Sequence, residues 1–302
     1  MNYLLTGACG FIGSHTFDEF IKNNKNVVVL DKLTYSSNID NIDRDKCNFY
    51  NIDICDKESV RKIIKKHNVS SIVNLAAETH VDNSISDPTI FVKSNVMGVL
   101  SLLEICKDHN ILLTHISTDE VYGPANDFSF SEDAPLNPMN PYSATKASAD
   151  HLIFSFHNTH NVRYKIIRPS NNFGPRQNSE KFIPKVLSNI KEKISIPVYG
   201  DGNQKRQWTY VKDTAKFIYD ITVKLPENRI YNLGDNNILT NNDLLEKIFK
   251  ITGRGKNLVN YVKDRPGHDK MYWINNNELS KQVEINFSNF ESSLYETIKS
   301  SF

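Results

Sequence analysis

The sequence predicts an α/β fold: a doubly wound parallel sheet with a second, smaller α/β lobe at the C-terminal end. Three observations predict it. Short β-branched runs alternate with helical patterns as far as Pro169, the signature of βαβ units that cover a parallel sheet on both faces. Three glycines stand between the first such run and the first helical pattern. After Pro169 the alternation loosens, as a smaller lobe over the carboxyl ends of the strands would require. In open sheets of this kind ligands bind outside those ends.

The elements follow in order. NYLLTG reads as a strand, GSHTFDEFIKNN as a helix, NVVVLD as a strand, ESVRKIIKKHN as a helix and SSIVNLA as a strand. Then come the helix FVKSNVMGVLSLLEICKDHN, the strand ILLTHIS, the helix YSATKASADHLIFSFHNTH and the strand YKIIRP. Beyond these, helices fit FIPKVLSNIKEK, DTAKFIYDITVK and NNDLLEKIFKITG, and RIYNLG resembles a strand. The expected division is a dinucleotide-binding domain over 1–169, to which some later segments return, and a second domain over 170–302.

With 302 residues and 39% hydrophobic content the chain suffices for one large core or two modest ones. A net charge of +1 argues against a nucleic-acid or membrane-surface binder, which would show a basic face. No membrane span is expected, because no run of about 18 apolar residues is evident. The chain enters an apolar strand at its second residue, which leaves no room for a signal peptide. Cys9, Cys47, Cys55 and Cys106 show no CxxC or framework spacing and read as reduced thiols of a cytoplasmic protein. The spacing of the nine histidines gives no support for zinc, so no metal is expected.

The glycines are Gly7, Gly10 and Gly13, in TGACGFIGSH. There they permit a tight turn and let the backbone approach a pyrophosphate resting on the helix N-terminus. Alone the pattern is weak, since glycine also marks simple turns. Asp31 follows the second strand, 18 residues after Gly13. A carboxylate there suits the ribose hydroxyls of NAD and repels the extra phosphate of NADP. NAD is therefore the expected cofactor in a Rossmann-like domain.

Tyr142 and Lys146 lie four residues apart, with Asn140 as a plausible cap and Pro141 at the first helical position. Both side chains then share one helix face. A lysine beside a tyrosine is expected to lower the phenol's pKa, giving a base for an alcohol proton. Asp119 and Glu120, in STDEVYG, are harder to place. Adjacent acids usually mark a solvated loop. These follow the apolar run ILLTHI. Neighbours on a strand point to opposite faces, so both can reach one ligand only if the strand ends there.

GxxGxxG, LAAETHVDNS, STDEVYG, PYSATKASAD, RPSNNFGPRQ and RPGHD occur in this order. The chain thereby resembles the extended short-chain dehydrogenase/reductase family, specifically its nucleotide-sugar 4,6-dehydratases of the dTDP-glucose or UDP-glucose type. The resemblance covers the chain from Met1 to about Trp273. It implies a Rossmann domain with a C-terminal nucleotide-sugar domain, a homodimer built on helices near 90–108 and 142–158, and NAD that stays bound and is regenerated in each turnover. It implies Thr118 as hydrogen-bond donor to the reacting oxygen, Tyr142 with Lys146 as the C4 base, Glu120 as the C5 base and Asp119 as the acid that releases the C6 hydroxyl as water. Two close carboxyls do not ionise together easily, which favours one acid and one base. Epimerases of the family have small neutral residues in place of this pair, and decarboxylases tend to keep only the second acid. A catalytically silent NAD-binding regulator would have no need of the full set.

The resemblance also implies NAD contacts from Phe11, Ile12, Asp53, Ile54, Ala76, Ala77 and Ser94, although Asp53 reads equally as a turn residue. It implies nucleotide-sugar contacts from His80, Ser84, Asn171, Lys181, Arg206, Arg265 and Tyr272. His80 reads equally as a structural histidine. Asn83, Arg176 and Gln177 depart from the family pattern at the rim of the site. That departure tilts the expected base toward uracil rather than thymine.

Overall fold

The computed structural model describes residues 1–126, 128–264 and 269–302. In chain order the strands are β1 (Asn2–Thr6), β2 (Asn26–Leu30), β3 (Asn48–Tyr50), β4 (Val69–Asn74), β5 (Leu112–Ile116), β6 (Tyr164–Pro169), β7 (Asn171–Phe173), β8 (Ile196–Tyr199), β9 (Lys205–Tyr210), β10 (Arg229–Leu233), β11 (Ile238–Thr240) and β12 (Val259–Val262). Seven form one parallel sheet in the order β10-β6-β5-β4-β1-β2-β3. The order reverses between β1 and β4, and the ligand crevice of such a sheet opens at that switch. The central strands are buried on both faces, as LLTHI in β5 is throughout, so they read as continuous apolar runs rather than alternating ones.

The late segments divide between two layers. β10 joins the large sheet beside β6, and helix Val211–Lys224 packs on the first helix, Phe11–Lys22. The remainder builds a separate core around Phe173, Trp208, Leu244 and Leu294. Two small sheets, β11-β9-β7 and β12-β8, belong to this lobe. These short strands had no clear signal in the sequence: most have three or four residues, too few for a period of two to show.

The premise that no run is long and apolar enough to cross a membrane needs correction. Helix Thr89–His109 is, by length and composition, apolar enough to cross a bilayer. Half of its apolar window is buried inside the fold, where Val99, Leu102 and Leu103 join the core beneath the sheet. A helix that covers a parallel sheet on one side is apolar for that reason. All four cysteines are free thiols, and burial pushes Cys9 and Cys106 up to about 12.

Candidate active site

One cleft runs across the carboxyl ends of the strands. At one end it is lined by Gly7, Gly10, Phe11, Ile12, Gly13, Asp31, Asp53, Ile54, Ala76, Ala77 and Ser94, and at the other by Asn171 and Lys181. Thr118, Asp119, Glu120, Tyr142 and Lys146 line it between them.

The glycine end is shaped to take backbone-close ligand atoms. Gly7 has φ +68°, and a Cβ there would stand 2.6 Å from the Ala76 nitrogen. A Cβ on Gly13 would stand 2.1 Å from the Gly7 carbonyl oxygen. The first helix is preceded by Gly10, which has no side chain to cap its first turn. Its leading N–H groups and positive dipole end are therefore offered to an anion. Asp31 accepts N–H bonds from Cys9 (3.0 Å) and Leu33 (2.8 Å), so it is both a turn residue and a fixed acceptor on the cleft wall. Asp53 likewise holds a turn, accepting from the Cys55 N–H at 2.9 Å, while it lines the cleft. Lys32, which the sequence reading passed over, bridges this wall by donating to Ser94 at 2.8 Å and pairing with Glu78 at 3.2 Å. These residues fit the diphosphate and ribose of a dinucleotide.

In the centre, β5 stops at Ile116 and residues Asp119–Tyr122 form a tight 3₁₀ turn. That turn lets two adjacent acids face one cleft. Thr118 Oγ1 donates to Asp119 Oδ1 (3.2 Å) and accepts the Glu120 N–H (3.3 Å). Asp119 is 3% exposed, and its Oδ2 has no hydrogen-bond partner among the described residues. Burial first, and then the neighbouring Glu120, push its carboxyl up to about 8. Glu120 is gripped differently. Its Oε2 accepts from Asn140 Nδ2 (3.1 Å) and stands 3.4 Å from the Tyr272 phenol. Burial and like charge together favour a protonated Asp119 near neutrality.

Helix Pro141–His160 begins as its sequence foretells. Asn140 caps it by accepting the Ser143 N–H (2.9 Å), and Ser143 Oγ accepts the Asn140 N–H (3.2 Å). Lys146 Nζ donates to the Ile116 carbonyl at 2.6 Å and stands 3.3 Å from His115 Nε2. Burial pushes Lys146 down to about 8. The expected lowering of Tyr142 is not found. Its phenol is pushed up, first by burial and then by the charge of Glu120. Lys146 spends a hydrogen bond on a backbone carbonyl, and no bond from it to the phenol is found among the described residues.

The nucleotide-sugar expectations divide. Asn171 and Lys181 line the cleft; Lys181 donates to the Thr79 carbonyl at 2.9 Å. Asn171 Oδ1 has no partner among the described residues. His80 does not line the cleft. Its Nδ1 accepts the Asn83 N–H (3.3 Å) and caps helix Val81–Ser86. Ser84 is fully buried and accepts the Tyr142 N–H at 3.1 Å, so it supports the start of the Tyr142 helix. Arg206 and Tyr272 stand behind the acid pair, with the guanidinium 4.5 Å over the ring. Arg265 lies outside the described residues. Of the rim departures, Arg176 has φ +65° and pairs with Asp18 (2.8 Å), and Gln177 lines the cleft.

The fold and the glycine cradle define a nucleotide-binding enzyme of the Rossmann type, and residues 3–234 match the NAD dependent epimerase/dehydratase family. The chain belongs to that family. It is 38% identical over 317 residues to a dTDP-glucose 4,6-dehydratase of Streptomyces niveus, covering 99% of this chain and 92% of the relative. It is 42% identical over 280 residues to the low-salt glycan biosynthesis protein Agl12 of Haloferax volcanii, covering 91% and 90%. Among solved structures, the DesIV dTDP-glucose 4,6-dehydratase of Streptomyces venezuelae, crystallised with NAD and TYD, matches with TM-score 0.96 at 33% identity, covering 99% of this chain and 96% of that one.

Proposed function

We propose that this chain is a NAD-dependent 4,6-dehydratase of a nucleoside-diphosphate glucose. The observation that supports it best is the Asp119–Glu120 pair on one turn, with Asp119 pushed up to about 8 beside a differently held Glu120. The family spans epimerases and dehydratases, and an epimerase has no use for this pair. NAD, when bound at the glycine end, would take a hydride from C4 and give it back at C6 after water is lost, so that the product is the 4-keto-6-deoxy sugar nucleotide and no net redox change results. Tyr142 takes the proton of the C4 hydroxyl, with Thr118 as donor to the same oxygen, which requires the phenol proton held by burial and by Glu120 to leave first. Oxidation at C4 makes the C5 proton acidic, and the Glu120 carboxylate removes it. Asp119 gives its proton to the C6 hydroxyl, which leaves as water. Asn171 and Lys181 offer polar contacts to the diphosphate and sugar.

The named relatives turn the base toward thymine, against the tilt that the rim residues suggested. We also assign the sugar-nucleotide role to the lobe within 170–302, and a 6-deoxyhexose such as rhamnose as the end use. A cytoplasmic homodimer completes the proposal. Large apolar side chains exposed on helix Thr89–His109, Ile90, Val92 and Met97, support the dimer. The test is mass spectrometry of purified protein incubated with dTDP-glucose and, separately, UDP-glucose, without added NAD. Loss of one water from either supports the reading, and the relative rates decide the base. No change in both, even with NAD supplied, sinks it.

A further inference from the structure

Behind the acid turn a buried ion pair gathers three elements of the fold. Arg168 on β6 donates through Nε to Asp150 Oδ2 at 3.0 Å, and its Nη2 stands 3.0 Å from the same oxygen. Asp150 lies on helix Pro141–His160, one turn beyond Lys146 and two beyond Tyr142. The pair holds the acid turn at both ends. Before the acids, Ser117 Oγ donates to Asp150 Oδ2 at 3.1 Å. After them, the Tyr122 phenol oxygen accepts from Arg168 Nη1 at 2.6 Å, with the guanidinium 4.8 Å over the ring. Arg168 and Tyr122 are each 1% exposed and Asp150 0%, and none of the three lines the cleft. None has a place in the proposed chemistry.

The donors and acceptors here have fixed roles. A guanidinium can only donate, so the Tyr122 oxygen accepts from it and sends its own proton to Asn232 Oδ1 at 2.8 Å. The Asn232 amide is fixed in turn, because its Nδ2 donates to the Phe130 carbonyl at 3.1 Å. At the other end the Ser117 hydroxyl faces a carboxylate. The Asn137 N–H on the Val121 carbonyl, at 2.9 Å, adds a backbone tie between them. Asp119 and Glu120 are thus strung between two side chains that end on one ion pair. A buried pair of this kind contributes little net stability over apolar packing of the same volume. Its planar arginine fork does limit how the groups around it can be arranged.

We propose that Arg168 and Asp150 form a positioning pair for the dehydration step, with Tyr122 as the arm that reaches past the two acids: the pair sets the acid turn against the Tyr142 helix, so that Asp119 and Glu120 meet the same sugar that Tyr142 deprotonates. The proposal deepens the 4,6-dehydratase reading and rests on it. Oxidation at C4 draws on the cofactor, Thr118 and the Tyr142 helix. Removal of the C5 proton by Glu120, and departure of the C6 hydroxyl with the proton of Asp119, also need the turn in register with that helix. A misplacement of about 1 Å at a reacting group costs up to about 10²-fold in rate. Cutting the Tyr122 arm therefore slows the loss of water far more than the oxidation that precedes it.

The test is a single turnover of Tyr122→Phe, which removes only the oxygen and keeps the ring stacked on Phe130. The NAD-loaded protein is mixed with whichever of dTDP-glucose and UDP-glucose the wild type turns over faster, quenched at intervals and read by mass spectrometry beside the wild type. Sugar nucleotide oxidised at C4 but still carrying its C6 hydroxyl should accumulate. Its ratio to dehydrated product should rise by about tenfold or more over wild type, while C4 oxidation keeps its rate. Equal slowing of both steps, or wild-type rates in both, overturns the proposal. If that variant does not fold, Arg168→Lys serves in its place, since it keeps a charge for Asp150 without the fork that reaches Tyr122, and the same ratio decides. A crystal structure of the variant gives a readout that needs no turnover. The Asp119 and Glu120 carboxyls should lie more than about 0.5 Å from their wild-type positions relative to Tyr142, and carboxyls that superpose overturn the proposal. A wild type that leaves both sugar nucleotides unchanged sinks the dehydratase reading itself, and the crystal structure then judges the positioning role alone.

Discussion

The phenol of Tyr272 donates to Asp269 Oδ2 at 2.5 Å and stands 3.4 Å from Glu120 Oε2. One hydroxyl proton therefore serves two carboxylates, and the shorter bond has it. Glu120 keeps a lone pair that the phenol only partly engages, while Asn140 fixes its direction. That is a suitable arrangement for a base: oriented, but not neutralised. Glu120→Gln keeps the shape and both neighbours. It should lower dehydration by about 10²–10⁴-fold, the usual weight of a general base. Rapid-quench mass spectrometry of the sugar nucleotide checks this, and a near-normal rate removes Glu120 from the base role.

Asp119 ties activity to stability through pH. Its carboxyl is pushed up to about 8 in the folded protein, against about 3.9 in an unfolded chain. The folded state thus holds a proton that the unfolded state has lost. Its contribution to stability is full below the unfolded value and drains away as pH rises from about 4 to 8. As an acid, it should also lose activity as pH rises through about 8. Asp119→Asn should abolish dehydration yet raise stability at pH 8 by an amount on the order of a few kcal/mol, seen as a higher melting temperature. Thermal melts at pH 5 and pH 8 check it: the gain should shrink at the lower pH.

Asn140 has two tasks that two substitutions separate. Asn140→Ser keeps an N-cap oxygen but cannot reach Glu120 with an amide. Asn140→Ala loses both and should cost about 1 kcal/mol more in stability. Turnover should fall in both variants, while chemical denaturation should distinguish them. Equal stability would mean that the cap bond to the Ser143 N–H carries nothing.

Gly13→Ala probes the cradle. The added methyl would sit 2.1 Å from the Gly7 oxygen, a backbone atom that cannot yield. The loop must shift, and the protein should lose retained NAD, as read by cofactor released on denaturing purified protein. Wild-type occupancy in this variant would remove the glycine loop from the binding site.

The parallel sheet and the glycine loop were legible because their signals are local: β-branched runs, glycine spacing and the Asn140–Pro141 helix start. The acid pair was legible as an anomaly, since two carboxylates after an apolar strand lack a structural excuse. What the sequence hid was tertiary. His80 and Ser84 lie in the motif LAAETHVDNS, yet one caps a helix and the other props Tyr142. Nothing in residue type distinguishes a cap from a contact. Tyr142's upward shift was hidden for a similar reason, because burial and the charge of Glu120 outweigh simple proximity. The hydrogen-bonded side chains Thr6, Asn74 and His115 lie on three separate strands and have no linear motif at all.

The return of β10 to the edge of the large sheet has a consequence for the order in which the protein is made. β6 ends at Pro169, but its partner begins only at Arg229. Asn232 on that late strand accepts from the Tyr122 phenol at 2.8 Å, at the far end of the turn that carries Asp119 and Glu120. During synthesis, which folds N-terminal segments first, the glycine cradle is complete in sequence long before that anchor leaves the ribosome. The glycine cradle and the acid pair are thus made ahead of the strand that anchors their turn, and β6 waits through some sixty residues of translation with one edge open. Between those two moments the turn that carries Asp119 and Glu120 lacks the Asn232 acceptor at its far end.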